Sequence, residues 1–409
     1  MNNRKTKIFV SAYACEPGLG SEIGVGWHWV LEMSKYFDLW VLTRESNRHS
    51  IEPWMAEHPE YADIRFLYYD WPKWARFWKK GLRGVRTYYN IWQLCTNRIV
   101  KRTMRENGIK VFHHLTYGNV LWKVSSYGQK QFFIWGPVGG LETIPAEYSQ
   151  HYDRKGRWIE RIRRMAVQLL PLNRGFETRC RHADLILCKT DITRNLIAEK
   201  HRRKAVLQTD VAVEHYTAQG GGRESGETTE FVSVGRLDAW RGFDLCIEGL
   251  ARAAQSHPNI HLSIVGSGPD RARLEKLAEE RGIGRKVTFA GKVSAEEYKR
   301  LMSRADVVLN ASLKEGAVTV SFDSMAMGKP LICLDTTGYT RYFSQDYSVI
   351  IPIGKRDKVV EELAGSMARL CDPNTRKEMG KLAQAAGEQF TWAKRGEEIH
   401  RLFTEKIKV

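Results

Sequence analysis

Strand and helix signals alternate along the chain in two successive series, and this alternation constrains the fold more than any other feature of the sequence. The short apolar runs of the first series are Ile8–Ala12, Leu39–Leu42, Val111–Leu115, Phe132–Trp135 and Leu185–Cys188. Those of the second series are Phe231–Val234, His261–Val265, Val287–Ala290, Val307–Asn310 and Pro330–Leu334. Segments with helical periodicity separate the runs, so each series predicts a parallel sheet with helices on both faces.

A segment rich in glycine, serine and charged residues, Thr217–Glu230, separates the two series and is the best linker candidate in the chain. We therefore expect an α/β protein of two Rossmann-like doubly wound domains that face each other across a cleft. The predicted first domain covers residues 1–216, the linker 217–230 and the second domain 231–385. A C-terminal helix over 386–409 can pack back on the first domain.

The positive charge is concentrated in the first half of the chain. The formal net charge is +17, and 43% hydrophobic residues exclude wholesale disorder. Residues 1–222 hold 35 Lys and Arg against 21 Asp and Glu, a net of +14, whereas residues 223–409 hold 29 against 26, a net of +3. The first half is thus expected to attract phosphates, nucleic acid or an anionic membrane. Seven cysteines without a C-x-x-C pair favour reduced thiols in a cytoplasmic protein.

Two arginines follow the first strand of the second half, in the sequence VSVGRLDAWRGFDL. Arg236 comes directly after the strand, and Arg241 with Gly242 opens the next helix. A strand-to-helix turn offers free backbone N–H groups, so two arginines there can clamp a diphosphate. The glycines of VGSGPD, Gly266 and Gly268, allow a similar sharp turn after the next strand.

Two carboxylates eight residues apart, Glu315 and Asp323, occur in the sequence KEGAVTVSFDS. Glu315 is expected in a loop and Asp323 inside the following helix, where both can bind sugar hydroxyls. Backbone N–H groups at the start of that helix are offered by three residues, Gly316, Ala317 and Val318. Main-chain groups at Lys292 and Val293, at the end of another strand, can hold the edge of a nucleotide base.

Taken in this order, these residues resemble the retaining nucleotide-sugar glycosyltransferases of the GT-B fold, in the large family 4 group. The G-R-L…K-G element of that family matches residues 235–242, with Arg241 where lysine is usual. Its E-x7-E signature matches Glu315 with Asp323, where aspartate replaces the second glutamate. Val318 stands where a glycine is common.

The first half matches that family more loosely. The sequence CEPGLGSEIG resembles its glycine-rich loop, with Gly20 and Ser21 facing the donor. VFHHLTYGN resembles the element in which a histidine at a strand end meets the transferred sugar, and His114 is preferred over His113. A third glycine-bearing loop, Gly136–Gly140, is expected at the same edge of the sheet.

The resemblance implies a metal-independent transferase without a cofactor, because no D-x-D motif occurs in the chain. It implies four catalytic residues: His114, Arg236, Arg241 and Glu315. The donor-binding residues that it implies are Gly20, Ser21, Gly235, Gly266, Gly268, Lys292, Val293, Gly316, Ala317, Val318 and Asp323. The partners are a nucleotide-diphosphate sugar and a glycan or lipid-linked glycan acceptor used in cell-surface polysaccharide synthesis, with no nucleic acid.

Two basic stretches with interleaved aromatic or apolar residues are predicted to lie on an anionic membrane surface. The first runs from Trp71 to Arg105, with ten basic residues and no acid after Asp70. The second is RKGRWIERIRRMAVQLL, residues 154–170, with apolar residues at helical spacing opposite its arginines. We therefore expect the protein on the inner face of the cytoplasmic membrane. The alternative is that both stretches form ordinary amphipathic helices packed on their own domain.

Three other functions remain open from the residues alone. A sugar-nucleotide epimerase on the same fold would also bind a nucleoside diphosphate. A non-catalytic polyanion-binding protein would use the excess positive charge. A nicotinamide-dependent oxidoreductase is suggested by GLGSEIG, although its third glycine is one residue late for a dinucleotide fingerprint.

Overall fold

The computed structural model of the chain describes residues 5–79, 84–125, 130–213, 228–314 and 319–407. The described chain forms two compact units, each built on one parallel sheet. The first unit comprises residues 1–141, 168–210 and 392–409, and the second comprises 142–167 and 211–391. The expected α/β fold class is thus confirmed.

The first unit contains a seven-stranded parallel sheet in the order β3-β2-β1-β4-β5-β6-β7. Its strands are β1 (Lys7–Ser11), β2 (Asp38–Arg44), β3 (Arg65–Tyr69), β4 (Val111–His114), β5 (Phe132–Val138), β6 (Leu185–Cys188) and β7 (Ala205–Leu207). The central strands β1 and β4 are buried apart from Lys7, as expected in a sheet covered on both faces. The direction of the strand order reverses between β1 and β4, so a ligand crevice is expected at the carboxyl ends of these two strands.

The second unit contains a six-stranded parallel sheet in the order β10-β9-β8-β11-β12-β13. Its strands are β8 (Thr229–Val234), β9 (Ile260–Val265), β10 (Val287–Gly291), β11 (Val307–Asn310), β12 (Leu331–Asp335) and β13 (Ser348–Pro352). Here the order reverses between β8 and β11. The loops that follow these two strands therefore define the ligand crevice of the second unit.

Helices connect the strands in both units. They are α1 (Ser21–Ser34), α2 (Arg48–Glu57), α3 (Val85–Glu106), α4 (Ala146–Ser149), α5 (Arg154–Gln168), α6 (Arg174–His182), α7 (Asp191–Leu196), α8 (Glu199–Arg202), α9 (Phe243–Ala253), α10 (Arg271–Glu280), α11 (Ala295–Arg304), α12 (Thr319–Ala326), α13 (Arg356–Arg369), α14 (Pro373–Gly387) and α15 (Trp392–Lys406). The C-terminal helix α15 packs on α1, with the ring of Tyr36 stacked 4.4 Å from that of His400.

The division between the units differs from the expected boundary at residue 216. Helices α4 and α5 precede β6 in the chain but pack with the second unit, where Tyr148 donates a hydrogen bond to the carbonyl of Gly354. The expected linker 217–230 lies outside the described residues up to 227, and Thr229 already begins β8. The boundary was predicted from local strand signals, whereas the unit to which α5 belongs depends on contacts with residues far away in the sequence.

The aromatic residues of α3 correct one membrane expectation. Tyr88, Tyr89 and Trp92 are completely buried and form part of the core of the first unit. They cannot insert into a lipid surface in this structure. The basic stretch within α3 is therefore an ordinary amphipathic helix packed on its own unit, although Trp74 and Phe77, which precede it, are exposed.

Candidate active site

The loops after β8 and β11 are joined through their backbones at the crevice of the second unit. The loop after β8 runs from Gly235 to Gly242, and the N–H of Leu313, after β11, donates to the carbonyl of Trp240 at 2.9 Å. The same loop meets the one after β9, because the N–H of Leu237 donates to the carbonyl of Ser267. Residues from three strand ends are thus held in one rigid edge.

Two glycines make this close approach possible. Gly266 has φ +139°, and a Cβ atom added to it would lie 1.9 Å from the carbonyl oxygen of Gly235. Gly242 has φ +69°, and its added Cβ would lie 2.0 Å from the carbonyl oxygen of Ala311. Any side chain at either position would push the strand ends apart. A Cβ atom added to Gly268 would lie 2.3 Å from the carbonyl oxygen of Leu237.

Both predicted clamp arginines lie on the loop after β8. The side chain of Arg236 is 52% exposed, with its Nε atom 3.2 Å from a carboxylate oxygen of Asp238. The guanidinium of Arg241 lies 4.3 Å from the centre of the Trp240 ring, and its Nε atom lies 3.6 Å from a Cβ added at Gly235. The two positive charges are therefore placed at the carboxyl end of β8, as the sequence predicts.

A third cation at this edge, Lys314, was missed by the sequence analysis. Its ammonium group forms a buried ion pair with Glu160 of α5 and lies 5.4 Å from the Trp240 ring. Burial, reinforced by the nearby charge of Arg163, lowers the pKa of Lys314 below its ordinary value. Its position directly before Glu315 was the only local signal, because its partner is 154 residues away.

The residues expected at the base and ribose are connected through α11. Lys292 and Val293 follow β10, and Ser294 caps α11 by accepting the N–H of Glu297 at 3.1 Å. In the first turn of that helix, the hydroxyl of Tyr298 donates to Asp323 at 2.5 Å. Asp323 is buried in α12, and this contact with Tyr298 was not predicted.

Four of the predicted donor-site residues fall outside the described residues. They are Glu315, Gly316, Ala317 and Val318. The chain is described again from Thr319, the first residue of α12, so Asp323 lies in the second turn of that helix. Of the predicted pair Glu315 and Asp323, only Asp323 therefore lies among the described residues.

The glycine-rich loop of the first unit leads into α1. Gly20 precedes the helix and Ser21 is its first residue. A Cβ atom added at Gly18 or at Gly20 would meet no atom within 4 Å, so a ligand can approach this backbone closely. Glu22 accepts the N–H of Tyr117 at 2.7 Å and thereby ties the loop after β1 to the loop after β4.

The two adjacent histidines of β4 point to opposite faces of the sheet, as successive strand residues must. His113 bonds to the carbonyl of Gly136 at 2.7 Å and packs beside Trp29 and Phe403. Burial lowers its pKa to about 4. His113 is therefore part of the core that α1 and α15 cover.

His114 faces α3, and its Nε2 atom lies 3.0 Å from the hydroxyl of Tyr89. Burial, followed by the charges of His113 and Arg179, lowers its pKa to about 3, so its ring is neutral near pH 7. Its Nδ1 atom is buried and has no hydrogen-bond partner among the described residues. This ring is suited to a hydrogen bond with an uncharged hydroxyl rather than to an ion pair.

An aromatic cluster lies beside His114 at the crevice of the first unit. The rings of Tyr89 and Tyr117 stack 5.1 Å apart, and Trp122 contacts both. Tyr117 adopts φ +57°, a left-handed conformation that is uncommon for a tyrosine. The loop 136–140 packs against the same segment, because the N–H of Gly139 donates to the carbonyl of Gly118. All three predicted loops of the first half therefore meet at one edge.

Within the described ranges, no three His, Cys, Asp or Glu side chains are grouped as metal ligands would be. In the same part of the chain, no helix is long and apolar enough to cross a membrane.

Solved structures with the same architecture identify the fold. The apo form of the lipopolysaccharide outer core galactosyltransferase WaaB superposes with a TM-score of 0.65 at 14% identity, covering 98% of this chain and 100% of that one. Alr3699/HepE of Anabaena, in complex with UDP and glucose, superposes with a TM-score of 0.59 at 14% identity, over 98% and 100% of the two chains. The fold of this chain is GT-B.

Sequence comparison finds a family model that matches most of the second unit. Residues 220–386 match the model for Glycosyl transferases group 1. The α-D-kanosaminyltransferase of Streptomyces kanamyceticus is 26% identical over 349 residues, 80% of this chain and 84% of that protein. A D-inositol 3-phosphate glycosyltransferase of Corynebacterium jeikeium is 27% identical over 179 residues, which span only 42% of either protein.

Proposed function

We propose that this chain is a retaining, metal-independent glycosyltransferase that moves a sugar from a nucleotide-diphosphate sugar to a glycan or lipid-linked acceptor in cell-surface polysaccharide synthesis. The observation that carries the proposal is the placement of Arg236 and Arg241 on one loop of the group 1 domain, at the point where strand order reverses. A nucleoside diphosphate leaving group bears developing negative charge, and two fixed guanidinium groups are suited to stabilise it.

The remaining roles are assigned as the resemblance to the family 4 glycosyltransferases implies. His114 and Glu315 position the transferred sugar, Asp323 binds the ribose, and residues 292–293 bind the base edge. Neutral His114 can donate from Nδ1 to a sugar hydroxyl when the hydroxyl of Tyr89 donates to its Nε2 atom. Further donor contacts are assigned to the backbone N–H groups of Gly20 and, from the sequence alone, to those of residues 316–318.

In the reaction, the bond between the anomeric carbon and the β-phosphate oxygen breaks while the acceptor oxygen bonds to the same carbon. Attack and departure take place on one face of the sugar, which retains the anomeric configuration. The departing phosphate takes the proton of the acceptor hydroxyl. No protein nucleophile is assigned in this mechanism.

The proposed location is the inner face of the cytoplasmic membrane. The seven cysteines are all free thiols, as is usual in a reducing compartment. An acceptor carried by lipid would require the enzyme to work at a membrane surface, and the excess positive charge of the chain favours an anionic one.

The proposal is tested by incubating the purified chain with UDP-, GDP- and ADP-sugars, with and without an extract of lipid-linked glycans. The expected result is release of the nucleoside diphosphate and a new glycosidic product with retained anomeric configuration. Conversion of the donor into another sugar nucleotide without acceptor would instead identify an epimerase. An inverted product would contradict the retaining mechanism.

A further inference from the structure

Helix α5 presents its apolar side chains to solvent. Trp158, Ile162 and Met165 recur at intervals of four and three residues, and Leu169 continues the row just beyond the helix end. At this spacing they form one stripe along the helix. Trp158 is 64% exposed and Met165 is 51% exposed, and the other two are also exposed. We call this row the α5 stripe.

The opposite face of α5 holds the helix on the second unit through polar side chains. Glu160 is only 4% exposed and forms the ion pair with Lys314, while Arg163 lies 3.8 Å from its other carboxylate oxygen. Arg164 donates to the hydroxyl of Ser149 at 3.0 Å. This is the reverse of a normal surface helix, which buries its apolar side and exposes its charges. The α5 stripe therefore needs a cover that this unit does not supply.

Cations border the α5 stripe. Lys155 and Arg161 lie about 60° to either side of it around the helix, given 3.6 residues per turn. Arg154 and Arg157 are also exposed. Within α5, every residue of which is described, the one acid is the buried Glu160. An apolar stripe flanked by exposed cations is the pattern of a helix that lies in the interface of an anionic bilayer.

We propose that α5 is the surface by which this chain binds an anionic bilayer, with the α5 stripe at the depth of the lipid headgroups. A second copy of the chain is a less suitable occupant, because a symmetric pair would bring the four exposed cations of each α5 together. The proposal rests on the proposed function in one respect. The ion pair of Glu160 with Lys314, the residue before Glu315, would hold the donor site about one helix diameter, roughly 10 Å, from the lipid.

The test compares three purified proteins in co-sedimentation with liposomes of phosphatidylcholine, with and without phosphatidylglycerol. The first is wild type and the second is the double variant Ile162→Glu/Met165→Glu. The third is a matched control, Leu94→Glu/Leu382→Glu, which changes two leucines that are 61% and 50% exposed outside α5. All four positions are exposed, so the melting temperatures should stay close to that of wild type.

Wild type and the control should pellet with anionic liposomes, and pelleting should weaken as salt rises. The α5 double variant should bind at least about tenfold more weakly, because it loses apolar burial and gains repulsion from the lipid. Pelleting of the double variant equal to that of wild type would overturn the proposal. Failure of wild type to pellet with either kind of liposome would also overturn the proposal. A third contradicting result would be loss of a dimer in the double variant, measured by light scattering, with pelleting unchanged.

Transfer to a water-soluble acceptor, measured without liposomes, separates this proposal from the proposed function. The double variant should retain that activity and lose transfer to an acceptor embedded in liposomes. Anionic-lipid binding without any transfer would contradict only the proposed function. Transfer in solution by a protein that ignores liposomes would contradict only the role of α5.

Discussion

The Nε2 atom of His114 lies 3.0 Å from the hydroxyl oxygen of Tyr89, and both side chains are almost completely buried. Burial raises the pKa of Tyr89 and lowers that of His114, so both groups are neutral near pH 7. The pair is therefore a hydrogen bond between uncharged groups at the carboxyl end of β4. It fixes the orientation of the imidazole next to the aromatic cluster.

The first prediction concerns the pH dependence of stability. His114 has a pKa of about 3 in the folded chain and about 6.5 when unfolded, so the unfolded state binds its proton first. Its contribution is fully present above pH 6.5 and is lost as the pH falls toward 3. The variant His114→Gln should therefore have a free energy of unfolding that falls less steeply between pH 6.5 and 4.5.

The difference in slope should approach about 1.4 kcal/mol per pH unit, the limit for one proton. Denaturant unfolding at several pH values measures it, and the comparison uses slopes because the substitution also changes absolute stability. A buried residue without a titratable group provides a control, and Phe133→Leu should lower stability but leave the slope unchanged. Identical slopes for wild type and His114→Gln would show that His114 is not kept neutral by burial.

The second prediction concerns the diphosphate clamp. Arg236→Ala or Arg241→Ala should lower the transfer rate by about two orders of magnitude, because each removes a positive charge from the leaving group. Arg236→Ala should hardly change stability, whereas Arg241→Ala also loses a contact with Trp240 worth about 0.5–1 kcal/mol. Steady-state kinetics measure the effect, with Arg252→Ala, on the far end of α9, as the control. Near-normal turnover in both clamp variants would refute the assignment.

The third prediction concerns metal ions. Transfer should survive dialysis against EDTA. Several carboxylates near the crevice of the second unit are already engaged, Asp238 with Arg236, Glu160 with Lys314 and Asp323 with Tyr298. Loss of activity on chelation, restored by magnesium or manganese, would contradict this prediction and show that the chain binds a catalytic metal ion.

The fourth prediction separates the two predicted donor carboxylates. Glu315→Gln should mainly lower kcat, because a contact with the reacting sugar strengthens in the transition state. Asp323→Asn should mainly raise the KM of the donor, because a ribose contact binds ground state and transition state equally.

Tyr298→Phe is the finer probe of Asp323. It removes only the hydroxyl that donates to the carboxylate, and should raise the donor KM about tenfold at nearly constant kcat. Ser344→Ala, which removes a hydroxyl bonded to Asp346 far along the chain from both predicted carboxylates, should leave both constants unchanged. If Asp323→Asn lowered kcat while Glu315→Gln raised KM, the two roles would have to be exchanged.

The sequence predicts the central strands well, but of the four edge strands it predicts only β10. Strands β1, β4, β8 and β11 are rich in apolar residues because they are buried on both faces. Strands β3, β7 and β13 were missed, since they lie at or near sheet edges, where half-exposed or very short strands show no clear period. The GT-B fold could still be predicted, because the glycine, arginine and carboxylate motifs of the second half carry the resemblance to that fold.

The candidate site was predictable only where its residues lie in local motifs. The loop from Gly235 to Gly242 carries its own signal in glycine and arginine spacing. In contrast, Lys314 is paired with Glu160, and Asp323 with Tyr298, across long stretches of chain, and no local pattern encodes either contact. The helical spacing of the apolar residues in α5 is visible in the sequence. That this apolar face is exposed, and the charged face buried, depends on where the helix packs.

The most direct test of the central claim is whether a nucleotide-diphosphate sugar stabilises the folded chain through the two arginines. Thermal unfolding would be followed in the presence of UDP-, GDP- and ADP-sugars for wild type, the double variant Arg236→Ala/Arg241→Ala and the Arg252→Ala control. At least one donor, at about a hundred times its dissociation constant, should stabilise wild type and the control by about 2.7 kcal/mol, a rise of a few degrees in Tm. The double variant should show no such rise. Stabilisation by no donor, or equal stabilisation of the double variant, would contradict the assignment of this site.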